Sequence, residues 1–163
     1  MIRLFLMSLV LLLLGACASG PGYDTRQVNL AVTPRSAVAE LEMVRDQTVL
    51  WGGVILNTSN MESQTRLEVL AYPLSSEQLP QRDREPLGRF LLEHPGFLDP
   101  ATYAEGRLVT TIGTVVRSDR GQVGDIEYLY PVIEASEIYL WPRDSEYTNR
   151  SRVHFGIGVG IGL

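Results

Sequence analysis

Residues 49–57 read VLWGGVILN and residues 65–72 read TRLEVLAY, and these two stretches decide the fold class. The first is a run of β-branched and aromatic residues with Gly52-Gly53 at its centre. Glycine inside a strand pattern marks a bulge or a sharp bend, the device that curls a sheet toward a barrel. The second alternates strictly, with Leu67, Val69 and Ala71 on one face and Arg66 and Glu68 on the other, the pattern of a half-buried strand. Between them TSNMESQ (58–64) is a polar turn, so the pair predicts a β-hairpin.

Outward from this hairpin the chain continues in short strands. Pro73 to Pro86 is a long polar loop, Gly88 to Glu93 a short strand, and HPGFLDP (94–100) breaks it. Asp99-Pro100 can cap a single helical turn through Ala104. GRLVTTIGTVVR (106–117) predicts a strand bent at Gly113, Asp119-Arg120-Gly121 a turn, and Gly124–Val132 and Glu134–Trp141 two further strands, with Pro131 at a kink or an edge. Before the hairpin, Thr33-Pro34 offers a helix cap followed by proline at the first helical position. Val38, Leu41 and Val44 then recur at helical spacing, predicting one short helix from Pro34 to about Arg45.

Five or six strands with short connections and one or two short helices predict a mainly β fold: a small antiparallel Greek-key barrel, OB-fold-like. An open two-layer sandwich is the alternative. Glycines interrupt the two longest strands, where closure needs bends, and this favours the barrel. After Pro142 the chain turns polar and ends in HFGIGVGIGL (154–163), in which glycine alternates with Phe155, Ile157, Val159 and Ile161. That segment reads either as a strand that adds to a partner or to the barrel edge, or as a flexible tail.

The amino end carries an address. Arg3 precedes an apolar run from Leu4 to Leu14, too short to span a bilayer, which needs about 20 apolar residues, and of the length of a signal-peptide core. Leu14-Gly15-Ala16-Cys17 resembles the lipobox of bacterial lipoproteins: an aliphatic residue, two small residues that let a peptidase approach, and a thiol that takes diacylglycerol as a thioether. Cys17 is the only cysteine, so no intramolecular disulfide can form in an exported chain. It is therefore the expected lipid attachment site, carrying a diacylglyceryl and an N-acyl group. Several acyl chains make such an anchor effectively permanent, where one alone is marginal.

The expected organisation is a signal peptide over 1–16, a lipidated flexible tether over 17–32, one β-barrel domain over 33–142 and a carboxy-terminal tail over 143–163. Ala18 follows the cysteine where aspartate would retain an enterobacterial lipoprotein in the inner membrane, so the outer membrane of a Gram-negative cell is expected. Cleavage before Cys17 leaves 147 of the 163 residues and removes Arg3, taking the formal net charge from −5 to −6. All 14 basic residues are arginine, and no basic tract occurs. An acidic surface repels phosphate backbones, so no nucleic-acid partner is expected.

Within this frame VLWGGVILN, TRLEVLAYPL, GRFLLEHPGFLDPATYAEGRLVTTIGTV and YPVIEASEIYLWP resemble the Slp family of outer-membrane lipoproteins, over roughly Val49 to Pro142. PGFLDP followed by Y-x-x-G-R-L-V-T is the most specific piece, and WGGVI is next. The resemblance implies a lipid-anchored, periplasm-facing β-barrel in a family known for induction in starved or stationary-phase cells, with no catalytic residues to carry over. The glycine-alternating tail departs from it.

The chemistry agrees. His94 and His154, the only histidines, have no second ligand type at metal spacing, and neighbours Glu93 and His94 point to opposite faces of a strand. Asp99, Glu105 and Asp125 could form a carboxylate pair only through the fold. No G-x-S-x-G, phosphate loop or H-E-x-x-H occurs. Neither a catalytic residue nor a metal or cofactor is expected, and the chain is read as non-enzymatic. Trp51, Tyr72, Phe97, Tyr103, Tyr128, Tyr130 and Trp141 are expected to pack the sheet. Arg66, Glu68, Asp99 and Arg107 lie in the family-like segments but are assigned no role, since a solvated sheet face accounts for them. The leading expectation is an envelope or starvation-related lipoprotein acting through a protein or peptidoglycan partner. A glycan- or small-ligand-binding module is the alternative, and an uncharacterised hydrolase the third.

Overall fold

The structure is a computed structural model and describes residues 20–143. The expected signal peptide, Cys17, His154 and all but the first residue of the segment 143–163 lie outside the described residues.

Thr33 starts the first helix as its sequence dictates. Its hydroxyl accepts the Ser36 N–H at 3.1 Å and the Ser36 hydroxyl accepts the Thr33 N–H at 3.0 Å, a reciprocal cap with proline at the first position. The single helix expected from Pro34 to Arg45 is two: α1 (Pro34–Ala39) and α2 (Leu41–Val44), broken at Glu40, whose φ of −123° leaves the helical region. Ala37 and Val44 drop into the barrel core.

Five strands follow: β1 (Thr48–Asn60), β2 (Gln64–Ala71), β3 (Gly88–Pro95), β4 (Leu108–Val123) and β5 (Ile126–Leu140). They close in the order β1-β2-β3-β5-β4, antiparallel throughout except for a short parallel ladder from Leu91–Glu93 to Val132–Glu134. This is the OB-fold arrangement. The alternation in β2 holds residue by residue, with Thr65, Leu67, Val69 and Ala71 buried. Phe90, Leu92, Ile55, Val109 and Ile133 complete the interior, each such side chain contributing about 1.5–3 kcal/mol by leaving water. Trp51 meets Phe90 edge to face at 5.1 Å and donates its indole N–H to the Val32 carbonyl at 2.8 Å.

The glycine pair acts differently from the bulge expected there. The register slip in β1 lies between Ile55 and Asn57. Gly53 instead stands where β1 pairs with β2 and β4 at once, and a Cβ there would lie 1.9 Å from the Leu70 carbonyl oxygen. Close backbone approach, not a bulge, demands the glycine. Gly113 does bend its strand, with a register shift beside it.

The far half of the sheet corrects two further expectations. Asp119-Arg120-Gly121 is not a turn: β4 runs on to Val123 and the reversal comes at Gly124, where φ is +60°. Gly121 is small because the Tyr130 ring lies over it, 2.9 Å from where a Cβ would be. The two closing strands are one, β5. Pro131 is tolerated inside it because β5 before Val132 has β4 as its sole strand neighbour, so no second ladder loses a donor. Asp99 caps a hydrogen-bonded turn, accepting the Ala101 N–H at 2.9 Å, without forming a helix.

The segment expected as free tether is held from Tyr23 onward. Tyr23 N–H donates to the Gln78 side chain at 3.0 Å, the Gln78 amide returns a bond to the Tyr23 carbonyl at 2.9 Å, and Asn29 N–H reaches the Thr48 carbonyl at 2.9 Å.

Candidate functional site

In barrels of this topology the outer face of the second and third strands, flanked by the β1–β2 and β4–β5 loops, is the usual ligand platform. Here β4 and β5 outgrow the barrel. β4 beyond Thr114 no longer pairs with β1, and β5 before Val132 no longer pairs with β3, so residues 116–131 form a two-stranded arm. Its side chains meet the outer face of β3: Leu91, Tyr130 and Val132 are buried together, with Val116, Val123 and Tyr128 around them.

Charge fastens the arm down. Alternation puts Arg66 and Glu68 of β2, and Arg89 and Glu93 of β3, on that outer face. Glu93 takes Arg66 Nη2 at 2.5 Å and Arg117 Nη2 at 2.7 Å on one oxygen. Asp119 closes the ring, accepting Arg66 at 3.1 Å and Arg117 Nε at 3.0 Å. A second set lies alongside: Arg89 Nη1 and the Tyr130 hydroxyl both donate to Glu68 Oε1, at 2.7 and 3.0 Å. Arg89 N–H donates to the Tyr128 hydroxyl at 3.0 Å. Three cations meet three carboxylates, and each carries an opposite partner. The arrangement is a latch that holds the arm across the platform.

Burial pushes the Glu93 carboxyl up, but the hydrogen bonds from Arg117 and then Arg66 outweigh it and hold the group below its usual range. The Glu93 bond raises Arg117, against burial and with help from Asp119. Burial and then the Glu68 bond raise the Tyr130 phenol. A carboxylate depressed in the fold contributes stability that is complete above its unfolded value, about 4.3, and that disappears as pH falls through its folded value. Urea unfolding of the body is therefore expected to weaken below about pH 4, and Glu93→Gln to flatten that acid slope. An unchanged slope in the variant would remove Glu93 from the account.

Of the polar residues in the family-like segments, Arg66 and Glu68 enter the latch. Asp99 and Arg107 do not: Asp99 caps its turn, and Arg107 holds the Thr102 and Trp141 carbonyls at 2.9 and 2.8 Å. Nothing in the sequence groups Arg117, Asp119 and Glu93, and Tyr130 is expected there only to pack the sheet. The opposite charges two apart in Arg66-x-Glu68 and Arg117-x-Asp119 were the available signal. Trp51, Tyr130 and Trp141 are buried as expected, whereas Phe97 is 72% exposed in the β3–β4 connection. His94 lies in β3 opposite Thr65, with Nδ1 buried and unbonded. Among the described residues no group of His, Cys, Asp and Glu could hold a metal ion. Asp99 and Glu105 belong to the β3–β4 connection and Asp125 to the arm's tip.

A cavity of about 530 Å³ lies between the leading segment and the β2–β3 connection, lined by Leu30, Trp51, Leu74, Gln78 and Leu87 among others.

Similar solved structures include the mitochondrial single-stranded DNA-binding protein Rim1 of S. cerevisiae, at 12% identity and TM-score 0.36 over 58% of this chain and 94% of that one. A small single-stranded DNA-binding protein of Streptomyces coelicolor gives 10% identity and TM-score 0.37, over 59% and 94%. Among curated relatives, an uncharacterised protein of Haemophilus influenzae is 28% identical over 90% of this chain and 79% of its own. The lipoprotein YeaY of Escherichia coli is 30% identical over 58% of this chain and 49% of its own. Outer membrane protein Slp of Escherichia coli is 30% identical over 79% of this chain and 69% of its own. The family model described as the outer membrane lipoprotein Slp family matches residues 14–157. The chain belongs to the Slp family of outer membrane lipoproteins.

Proposed function

We propose that the protein is held on the outer membrane by a diacylglyceryl and N-acyl lipid on Cys17. Its barrel faces the periplasm and serves as a non-catalytic interaction body, in an envelope role tied to starvation or stress. Its partner is another envelope protein or peptidoglycan, and its net acidity argues against nucleic acid. The observation that carries this reading is the arm. It covers the platform on which OB folds bind ligands and satisfies the charges there internally. Among the described residues it offers partners two strand edges with one neighbour each and the exposed side chains Ile126 (72%) and Leu129 (39%).

Sucrose-gradient fractionation with protease added to intact cells tests it. Wild type is expected to float with the outer membrane and resist the protease, and Cys17→Ser to become soluble or to persist as uncleaved precursor. A Cys17→Ser form that fractionates like wild type would refute the anchor. Digestion of wild type from outside would refute the periplasmic orientation.

A further inference from the structure

The lipid reading fixes how the barrel sits, because the leash is short. Gly20 is already packed: a Cβ on it would lie 2.2 Å from the Glu77 carbonyl oxygen and 3.0 Å from Trp141 Cη2. Two residues, Ala18 and Ser19, separate it from Cys17, and the three steps of chain between them reach at most about 11 Å. The lipidated sulfur therefore cannot stray far from the turn at Ser76–Gln78 and the end of β5.

That neighbourhood is rigid. The Trp141 indole N–H donates to Thr110 Oγ1 at 2.9 Å, and the Thr110 hydroxyl donates to the Gln78 carbonyl at 2.8 Å. Gln78 in turn clasps the Tyr23 backbone in both directions. It is also aromatic. Tyr139 stacks on Trp141 edge to face at 4.9 Å. Burial, then Glu137, Tyr103 and Tyr139, push the Tyr23 phenol up to about 12, so these groups lie near it. Tyr23, Tyr103 and Tyr139 are half-buried. Tyrosine and tryptophan are the residues that settle at headgroup depth, with an apolar body and a polar tip.

We propose that this face, built from Gly20, Tyr23, Glu77, Tyr103 and Tyr139 over Trp141, docks against the headgroups of the leaflet that holds the Cys17 lipid. The proposal rests on the anchor reading. It commits the surface to lipid, because the chain that leads to the anchor ends there. It also says which way the arm points. Ile126 stands 13 residues before Tyr139 in the same strand, up to about 43 Å along it, so the arm tip projects away from the bilayer toward partners.

Lipidation consumes the chain's only thiol, so one introduced cysteine can be labelled uniquely. The experiment uses the full lipidated chain in phosphatidylethanolamine–phosphatidylglycerol vesicles carrying a headgroup nitroxide. It compares a fluorophore at Glu77→Cys with one at Ile126→Cys, both exposed positions, after flotation. Quenching is expected to be several-fold stronger at Glu77→Cys. Flotation with equal or reversed quenching would overturn the docking face and leave the anchor standing. Failure to float would overturn the anchor, and the docking face with it.

Discussion

Gly53→Ala is expected to destabilise the barrel by at least about 3 kcal/mol, above the common range for overpacking because nothing flexible can yield. The added Cβ would sit 1.9 Å from the Leu70 oxygen, 2.6 Å from its carbonyl carbon and 2.9 Å from the Ala71 Cα, all backbone. Gly53 is paired with Ala71 on one side and Val109 on the other, so β1 cannot slide from one neighbour without losing the other. In thermal melts of the Cys17→Ser body, Tm is expected to fall by about 10 °C or more. Gly96→Ala is the control, since its Cβ would meet open space and its φ of +82° imposes backbone strain alone, worth about 1–2 kcal/mol. If Gly53→Ala melted no lower than Gly96→Ala, close approach would not be what selects glycine at the closure of the barrel.

That prediction comes from a feature the sequence disclosed only halfway. The glycine pair marks the curl of β1, and alternation in TRLEVLAY marks the inward face of β2 without error, because both are local properties of one strand. The arm was illegible for the opposite reason. Asp119-Arg120-Gly121 carries turn chemistry, and Pro131, rightly read as a kink or an edge, also divides β5 into two expected strands, as it would if each strand were paired on two sides. In the arm neither strand is. Gly121 makes room for Tyr130 and Pro131 loses no partner, facts fixed by packing across the sheet. The latch followed the arm out of view. Arg66 and Glu68 look like a solvated face until Glu93 and the pair Arg117–Asp119 arrive from other strands, 27 to 53 residues from Arg66 in sequence. The lipobox-like Leu14-Gly15-Ala16-Cys17, by contrast, is contiguous, so its reading as an anchor rests on no fold.

Removing the central carboxylate should open that latch. Glu93→Ala is expected to cost about 2–3 kcal/mol. Breaking a buried ion pair typically costs about 3–5 kcal/mol, through the charge left without a partner. The Glu93 side chain is only 5% exposed, but Arg66 and Arg117 are 26% and 41% exposed, so water recovers part of the loss. The two guanidiniums would then share Asp119 alone and repel one another. Their repulsion acts on the arm directly, because Arg117 sits at its base and Asp119 two residues further along. The apolar contacts of Tyr130 and Val132 with Leu91 remain, so the arm should loosen before the barrel does, opening locally at lower cost than global unfolding. Trypsin reads that difference, since Arg117 and Arg120 lie in the arm. Cleavage there is expected to rise by an order of magnitude or more in Glu93→Ala, and less in Glu93→Gln, which keeps an acceptor. A barrel destabilised by the expected amount with no faster cleavage in the arm would mean that Glu93 supports the sheet and not the latch. Faster cleavage would mean that Glu93 holds the arm against β2 and β3, independently of the barrel.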